Sequence, residues 1–443
     1  MKFLRFEKNS FRKSWRGLAA NLLLLVPLSS AAAEDWPGFR GPTGMGTTPS
    51  RGLPLEWGGA DARNILWKAP LPPTVHEGEP DLNPSSPVVV GGKVFVTTAH
   101  WPKDTKDRRA QQPEHRVAAY DAGTGRALWE TVLAPGPWLL RDLRGGYAVP
   151  TPVVAGGRIF ALFGSSILHA LDVDGKLLWS HTLSDPDQFD VALASSPVVF
   201  KDTLILLLDR KAPAASILAL DVATGTPRWE KKRPETDFGH MSPVLTTMDG
   251  VPQLLVSATH ALQSLDPSTG DTLWSCLWGR KIWPVSSPVI ANGLLYAIGG
   301  RSGHPGVVVD PRGRGDITET HLKWRVGPMA EGVSSPVVSG DLVFRLTSPE
   351  TVRCVRMGSG EELFKERLPG ASVDVSPIAT ADGRIYLATA GKSFVLRAGP
   401  QLEVLAESNL GDPSGASPAV ADGRIFLKGR AFLYAIGDNR AGK

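Results

Sequence analysis

A Ser/Thr-Pro pair followed by a short apolar strand recurs along this 443-residue chain, and this repetition constrains the fold more than any other feature. The eight copies are centred on Pro87, Pro152, Pro197, Pro243, Pro288, Pro336, Pro377 and Pro418, with spacings of 65, 45, 46, 45, 48, 41 and 41 residues. Most copies continue as two β-rich runs separated by Gly-Gly, Asp-Gly or Asn-Gly. These pairs favour tight hairpin turns, because glycine accepts a positive φ angle. Each repeat is therefore predicted to begin with a β-hairpin.

The second half of a repeat carries a turn and then an outer strand with a tryptophan. In three copies an aspartate stands eight residues before the tryptophan, as in Asp121 to Trp129. An aspartate at this position bonds the backbone amides of its own turn. The tryptophan is predicted to cover the seam between neighbouring sheets. We assign this inter-blade role to Trp67, Trp129, Trp179, Trp229, Trp274 and Trp324.

The two ends of the repeat array distinguish a closed ring from a superhelical solenoid. The eighth repeat ends near Ile436 without a tryptophan strand, whereas an isolated tryptophan strand at residues 65–71 precedes the first repeat. That strand would complete the last blade and leave no free sheet edge. We therefore predict an all-β fold, an eight-bladed β-propeller of four-stranded antiparallel blades, closed by the N-terminal strand. It spans residues 63–443 as one domain, after an N-terminal extension at residues 34–62.

Composition and charge exclude several classes of protein. With 42% apolar residues, 47 Gly and 37 Pro, the chain can bury a large core and contains many turns. The net charge is +4, but residues 1–33 carry six basic residues and one acidic residue, which leaves −1 (4 minus 5) for the remainder. We therefore expect no nucleic-acid partner. We also expect a monomeric protein.

Residues 1–33 have the pattern of a secretory signal peptide. A basic stretch precedes the apolar run 18–28 and then Ala-Ala-Ala33, which fits cleavage near Ala33 and export to the periplasm or the exterior. An uncleaved anchor is the alternative, but a run of 11 residues is too short for a bilayer core of about 30 Å. No cysteine for lipid attachment lies near the cleavage site, and we expect no integral membrane segment.

The sequence contains no recognisable catalytic or metal-binding motif. It has no nucleophile elbow, no phosphate-binding loop and no metal-spaced Cys/His set. Its two cysteines, Cys276 and Cys354, fall two repeats apart, and we expect two buried thiols rather than a disulfide. We therefore predict no catalytic residues and no metal ligands.

One rim of the propeller is the expected binding site. The connections between blades and the loops between second and third strands open on the same side, where eight loops converge. Three aromatic and seven polar residues of these loops form the predicted ligand- or partner-binding mouth: Tyr147, Phe238, Trp283, His240, Arg280, Arg301, Glu331, Asp374, Asp209 and Arg210. The mouth would stack on a partner and add charge contacts.

A purely structural role for the same rim is the alternative. The aromatic side chains would then plug the mouth as core, with the charges merely solvated, and His240 would be a hydrogen-bonded loop residue. The serines before the prolines, Ser86, Ser196, Ser287 and Ser335, are expected to begin the inner strands and to bond locally.

The repeat string A-x-D-x-x-T-G-x-x-x-W, matched by the copies ending at Trp129 and Trp229, resembles the PQQ-type propeller repeat. That repeat is found in quinoprotein alcohol dehydrogenases and in the outer-membrane assembly factor BamB. The opening 35–46, DWPGFRGPTGMG, is similar to the start of secreted bacterial BamB-like proteins of unassigned role. The resemblance covers residues 36–437. It implies a propeller, and in the dehydrogenases it implies PQQ and Ca²⁺ at one mouth of the channel, against a disulfide between adjacent cysteines.

The repeat ring and the lack of a catalytic set favour a non-enzymatic binding scaffold for protein or cell-envelope partners, similar to BamB. BamB is a lipoprotein, whereas this sequence has no cysteine to acylate, and its two cysteines are 78 residues apart. Two alternatives stay open: a PQQ-binding quinoprotein oxidoreductase, with PQQ and Ca²⁺ as cofactors, and a polysaccharide-binding propeller that stacks on sugar faces.

Overall fold

A computed structural model describes residue 1 and residues 34–438, except for 73–82, 103, 141–142, 144–145, 186–192, 300–304 and 328–331. The described residues form strands and turns and contain no α-helix. From Ala33 onward the chain forms one compact unit. Apart from Met1, the predicted signal peptide lies outside the described residues.

Two strands precede the first blade, β1 (Thr47–Thr48) and β2 (Ile65–Pro70). Blade one consists of β3 (Val88–Val90), β4 (Lys93–His100), β5 (Glu114–Asp121) and β6 (Ala127–Leu133). Blade two consists of β7 (Val153–Ala155), β8 (Arg158–Phe163), β9 (Ile167–Asp172) and β10 (Leu177–Thr182). Blade three consists of β11 (Val198–Phe200), β12 (Thr203–Leu208), β13 (Ser216–Asp221) and β14 (Pro227–Lys232). Blade four consists of β15 (Val244–Met248), β16 (Val251–Ser257), β17 (Ala261–Leu265) and β18 (Thr272–Leu277).

Blade five consists of β19 (Val289–Ala291), β20 (Leu294–Ile298), β21 (Gly306–Val309) and β23 (Leu322–Val326); β22 (Gly315–Asp316) adds in parallel to β18 of blade four. Blade six consists of β24 (Val337–Ser339), β25 (Leu342–Thr347), β26 (Thr351–Arg356) and β27 (Glu362–Arg367). Blade seven consists of β28 (Ile378–Thr380), β29 (Arg384–Leu387), β30 (Lys392–Arg397) and β31 (Glu403–Asn409), with β1 added in parallel to β28. Blade eight consists of β32 (Ala419–Ala421), β33 (Arg424–Lys428) and β34 (Phe432–Ile436), and takes β2 as its outer strand.

The strands show why the blades pack as layers. The second strand of blade three, Thr203–Leu208, is buried at every residue, because neighbouring blades cover both faces of the sheet. The outer strand Pro227–Lys232 alternates between exposed and half-buried residues, as expected of a strand at the solvent-facing edge. The hydrophobic core is accordingly divided among the seams between blades.

The two ends of the chain meet in one sheet, as the sequence predicts. Strand β2 runs antiparallel to β34, with Trp67 opposite Ala435 and Pro70 opposite Phe432. The Leu71 amide continues the ladder by donating to the Ala431 carbonyl at 2.8 Å. The eight-bladed propeller and its closure by the N-terminal strand are therefore confirmed.

The outer-strand indoles lie across the seams. Each of five predicted seam tryptophans covers a turn glycine of the next blade: Trp67 on Gly125, Trp129 on Gly175, Trp179 on Gly225, Trp229 on Gly270 and Trp324 on Gly360. At Gly225 (φ 71°) a Cβ would lie 2.7 Å from the Trp179 ring, so the contact requires glycine. The Trp179 Nε1 donates to the Val222 carbonyl at 3.3 Å. The indoles therefore fix neighbouring blades by packing and by hydrogen bonds.

Two seams use other residues. Trp274 is fully buried among blade-five side chains such as Leu295 and Val309, and its Nε1 donates to Gln253 Oε1 at 3.1 Å. Between blades seven and eight the N-terminal extension supplies Trp57, whose amide donates to Ser408 Oγ at 3.0 Å and whose ring is buried. Cys276 and Cys354 are buried and free, which confirms the two predicted thiols.

Candidate functional site

A ring of hydroxyl groups encircles the central channel where the eight inner strands begin. Its members are the residues that precede the repeated prolines: Ser86, Thr151, Ser196, Ser242, Ser287, Ser335, Ser376 and Ser417. In seven of the eight steps a ring residue's backbone amide donates to a hydroxyl oxygen of a neighbouring blade, at 2.9–3.1 Å. In the remaining step the Ser287 hydroxyl donates to the Ser242 carbonyl at 2.8 Å. We call these eight residues the hydroxyl ring.

The hydroxyl ring corrects one prediction. The serines do precede the inner strands, but their hydrogen bonds are not local. Ser417, for example, donates to Ser86, 331 residues away, across the closing seam. Local bonding is wrong because the inner strands converge on the propeller axis, where a neighbouring blade is closer than the residue's own turn.

A cavity of about 590 Å³ occupies the channel next to this ring, and we call it the funnel. Six members of the hydroxyl ring line it, together with apolar side chains such as Val149, Val285 and Val333. Phe39 of the N-terminal extension lines its lower end. The volume falls within the range of small-molecule or peptide-side-chain sites, about 300–1,000 Å³.

Residues 36–46 extend beneath the funnel, and we call them the floor segment. Trp36 exchanges backbone hydrogen bonds with Val89 of blade one at 2.7 and 2.9 Å. Further along, the Gly46 carbonyl accepts from the Ala379 amide of blade seven at 2.8 Å. The floor segment therefore extends beneath the funnel from the first blade to the seventh.

A buried arginine belongs to the floor segment. Arg40 is 2% exposed and donates through Nη2 to the Met45 carbonyl at 2.7 Å and to the Pro336 carbonyl. Burial lowers the pKa of Arg40 to about 9, because desolvation disfavours the charged guanidinium. Its carbonyl contacts hold the segment against blade six.

The funnel rim carries three ionisable side chains from different blades. His240 lies before blade four, Asp374 before blade seven and Arg430 in the turn between β33 and β34. His240 and Asp374 belong to the predicted mouth, and the structure places both on the funnel wall. Arg430 is not among the predicted residues, although it lies in a loop between the second and third strands of its blade, the class of loop that supplied Asp209 and Arg210.

The aromatic residues of the predicted mouth do not form an exposed platform. Tyr147 is completely buried, in edge contact with Trp101 at 5.8 Å, and its hydroxyl accepts from the Leu140 amide at 3.0 Å. Burial raises the pKa of Tyr147. Phe238 and Trp283 are half-buried, and neither is among the described residues of the funnel wall. Tyr147 therefore serves as core, buried against Trp101 and His115 of blade one.

The charged residues of the predicted mouth separate into buried and exposed groups. Asp209 is buried and ion-paired with Arg233 at 2.5 Å, and burial raises the pKa of Asp209 to about 6 against the opposing effect of Arg233. Arg210 is buried and donates to the Ser184 hydroxyl at 2.6 Å. Arg280 is exposed. Arg301 and Glu331 lie outside the described residues.

The described wall of the funnel does not fit PQQ with Ca²⁺. Calcium takes six to eight oxygen ligands, commonly with several carboxylates. Among the described residues lining the funnel, Asp374 is the sole carboxylate, and no group of three or more His, Cys, Asp or Glu in the described part of the chain is placed to hold a metal ion. The adjacent-cysteine disulfide is also ruled out, since the two cysteines lie in blades four and six.

A closed ring of eight four-stranded blades around one funnel defines the class of protein, a β-propeller with an axial cavity. The family profile described as outer membrane protein assembly factor BamB matches residues 59–208 and 113–366. These matches cover more than half of the chain, and the chain belongs to this family of PQQ-type propeller repeats.

Individual relatives are distant. The outer membrane protein assembly factor BamB of Moranella endobia (strain PCIT) is 22% identical over 280 residues, which cover 62% of this chain and 66% of that protein. The matched region is thus slightly under two thirds of the relative's length.

Solved structures show the same fold at low identity. BamB from Moraxella catarrhalis superposes with a TM-score of 0.56 at 14% identity, over 85% of this chain and 98% of that chain. Quinohemoprotein alcohol dehydrogenase from Comamonas testosteroni superposes with a TM-score of 0.62 at 15% identity, over 92% and 81%. At these identities the likeness establishes the fold alone. Among the described residues, no helix has the length and apolar character to cross a bilayer.

Proposed function

We propose that this protein is exported and acts as a non-enzymatic binding scaffold in the cell envelope, holding a segment of a protein partner in the funnel. The observation that carries the proposal is the funnel itself, which lies above the floor segment and is open at one rim. Its wall combines apolar side chains with hydroxyl groups, a composition that suits a peptide segment with alternating apolar and polar groups. The name of the relatives, outer membrane protein assembly factor, suggests a protein as the partner.

The hydroxyl ring supports binding rather than catalysis. A catalytic serine is activated by a base that accepts its proton. Here seven ring oxygens accept backbone amides, so they are used to hold the blades in register. Six ring residues nevertheless line the funnel. A hydroxyl that accepts an amide still has its own hydrogen to donate, for example to a bound backbone carbonyl.

The funnel rim supplies opposite charges. Asp374 is exposed and Arg430 is half-buried, on blades seven and eight. Exposed charges at an interface rim mainly affect the association rate and the choice of partner. We therefore assign the rim residues to selection of the segment and the apolar wall to affinity.

A binding titration with the exported protein tests the proposal. The probe is an unfolded outer-membrane β-barrel protein, fluorescently labelled and diluted from urea, and the measurement is fluorescence anisotropy. We expect saturable binding that weakens when Asp374→Lys and Arg430→Glu are combined. The control is Arg312→Glu, because Arg312 lies in a turn between the third and fourth strands of blade five, at the opposite rim. Equal binding by the two variants would count against the funnel.

Two further titrations address the alternatives. A shift of the quinone absorbance on addition of PQQ and Ca²⁺, with dye reduction by an alcohol, would replace the scaffold by a quinoprotein oxidoreductase. Binding on a glycan array without binding of the unfolded protein would replace it by a polysaccharide-binding propeller. Export is tested separately by N-terminal sequencing of the secreted protein, which we expect to begin at Glu34.

A further inference from the structure

The first two residues after the expected cleavage site lie on the seam at which the ring closes. The Glu34 amide donates to Asp422 Oδ1 at 2.9 Å, and Asp422 belongs to the turn between β32 and β33 of blade eight. Asp35 Oδ1 accepts from the Gly91 amide at 2.9 Å, in the turn between β3 and β4 of blade one. Residues 34–35 therefore connect the last blade to the first, immediately before the floor segment.

The Glu34 side chain adds contacts to a third blade. Its carboxylate accepts hydrogen bonds from the hydroxyls of Thr48 and Ser50. Thr48 belongs to β1, which pairs in parallel with β28 of blade seven. The Ser50 carbonyl accepts from the Ala381 amide of the same blade at 3.3 Å. The start of the expected mature chain is therefore tied to blades seven, eight and one.

Blade seven carries the same turn as blade eight and offers an internal comparison. The sequence ADGRI occurs in the turn after β28, at residues 381–385, and in the turn after β32, at residues 421–425. In blade seven, Asp382 Oδ2 accepts from the Gly52 amide at 2.9 Å and lies 3.4 Å from Arg384 Nε. This aspartate therefore binds an ordinary backbone amide and pairs with the arginine of its own turn.

Blade eight uses the same residues differently. Arg424 reaches the neighbouring blade and donates to the Ala122 carbonyl at 3.1 Å. Among the described residues, no basic side chain forms an ion pair with Asp422, and its Oδ1 accepts from the backbone nitrogen of Glu34. That nitrogen is the one that cleavage after Ala33 would release as an amine.

Cleavage would change the chemistry of this contact. Hydrolysis adds one water across the Ala33–Glu34 peptide bond. Ala33 leaves with a carboxylate, and the proton that its acid gives up is taken by the new Glu34 amine, which is protonated near neutral pH. A neutral amide with one N–H is thereby replaced by an ammonium with three. Hydrogen bonds between ionised groups are shorter and about twice as strong as those between neutral groups.

We propose that Asp422 is the binding site for the mature amino terminus, and that signal-peptide removal strengthens the closing seam through an ion pair between the Glu34 ammonium and the Asp422 carboxylate. The inference rests on the proposed export with cleavage near Ala33, and it gives that cleavage a second role. Because Asp422 is exposed, the gain is that of a surface ion pair, about two- to fivefold in the unfolding equilibrium constant. The ring is therefore closed less tightly in the precursor than in the exported protein.

The test moves the ammonium away from Asp422 without changing any residue of the fold. Gly-Ser-Gly-Ser is inserted after Ala33, so that Glu34 is again an amide and the ammonium can lie up to about 13 Å away, beyond the screening length of roughly 10 Å at 0.1 M salt. Mass spectrometry verifies the amino terminus of each secreted protein. We expect the insertion to raise the unfolding equilibrium constant about two- to fivefold, measured by urea unfolding. The same insertion in Asp422→Asn should have no such effect.

Asp382→Asn is the matched control, because Asp382 occupies the same place in the turn of blade seven. The insertion should destabilise Asp382→Asn as much as it destabilises the wild type. Asparagine is chosen at residue 422 because it tolerates the positive φ angle of Asp422, 47°.

A second measurement does not involve unfolding. The Glu34 amine of the folded protein is acylated with a small amount of acetic anhydride, and the rate is followed by mass spectrometry. An ion pair keeps the amine protonated and unreactive. We expect acylation about two- to fivefold faster in Asp422→Asn than in the wild type or in Asp382→Asn.

The outcomes separate this inference from the proposed export. Equal effects of the insertion in the wild type and in Asp422→Asn, together with equal acylation rates, would overturn the ion pair and leave export intact. A secreted protein whose first residue is not Glu34 would contradict the expected cleavage site, and the inference would fail with it.

Discussion

The two ends of the central channel are built from different parts of the chain and for different purposes. At one end the floor segment, residues 36–46, crosses the inner strands and is held by backbone bonds such as Trp36 to Val89. At the other end the hydroxyl ring and the rim residues His240, Asp374 and Arg430 surround the open funnel. The floor adds stability by burying an extra segment, whereas the rim leaves ionisable groups in contact with solvent.

This difference predicts different roles for the two ends of the channel: the floor segment stabilises the fold, and the rim recognises a partner. The floor carries a fully buried indole, Trp36, and a buried guanidinium, Arg40, whose removal disrupts packing. The rim side chains are exposed or half-buried, so truncating them leaves no buried cavity. Changes at the floor should therefore affect unfolding, and changes at the rim should affect binding.

Among single substitutions, Trp36→Ala is expected to have the largest effect. Truncation of a fully buried aromatic side chain costs about 3–5 kcal/mol, because it removes apolar burial and leaves a cavity. The measurement is urea unfolding followed by tryptophan fluorescence. Leu177→Ala is the control, since Leu177 is exposed on an outer strand and its truncation should cost less than about 0.5 kcal/mol. Equal losses in the two variants would mean that the floor adds nothing to stability.

Acidification should destabilise the protein through two histidines near the open end. Burial lowers the pKa of His115 to about 3 and that of His169 to about 4, from an ordinary value of 6.5. The unfolded chain takes up these protons near pH 6.5 and the folded chain only near pH 4 or below, so stability is lost as the pH falls through that window.

For each histidine, the free energy of unfolding falls by about 1.4 kcal/mol per unit by which its pKa is lowered in the folded state. Unfolding free energies measured between pH 7 and pH 4 check it, and His169→Gln should flatten the dependence. Leu177→Ala, at an exposed position that does not titrate, should leave it unchanged. A wild-type stability that does not fall over this range would contradict the burial of both rings.

Ser376→Ala, in the hydroxyl ring, should cost about 1–3 kcal/mol. The change leaves the Ser335 amide, which donates to Ser376 Oγ at 3.0 Å, buried without its acceptor. Chemical denaturation measures the loss. Ser376→Thr keeps the hydroxyl, as Thr151 does in blade two, and should recover most of the stability. An alanine variant as stable as the wild type would show that the hydroxyl ring is not needed to hold the blades.

Arg430→Gln should have the smallest effect on stability, below about 0.5 kcal/mol, because its side chain is a rim group without a carboxylate bridge among the described residues. Partner binding, measured by anisotropy with the unfolded β-barrel probe, should weaken in the same variant. A large loss of stability together with unchanged binding would reverse the assignment of the open end to recognition.

Much of the fold was predictable because it is a local property repeated eight times. The strand that contains Trp67 and the missing strand after Ile436 predicted ring closure, since a sheet edge without a partner is unstable. The candidate site was harder to predict from the sequence. His240 and Asp374 were placed on the funnel, but Tyr147 was not, because a position in a loop does not show whether the chain folds back over the side chain.

The sequence by itself determined the blades, the turn glycines and the pairing of the two ends, because these depend on short-range patterns that each repeat specifies independently. Only the tertiary structure decided which hydroxyl bonds which amide around the axis, that residues 36–46 extend beneath the funnel, and that Trp57 fills the seam between blades seven and eight. Those contacts join residues tens to hundreds of positions apart, and their geometry depends on how the blades are rotated about the axis rather than on any local pattern.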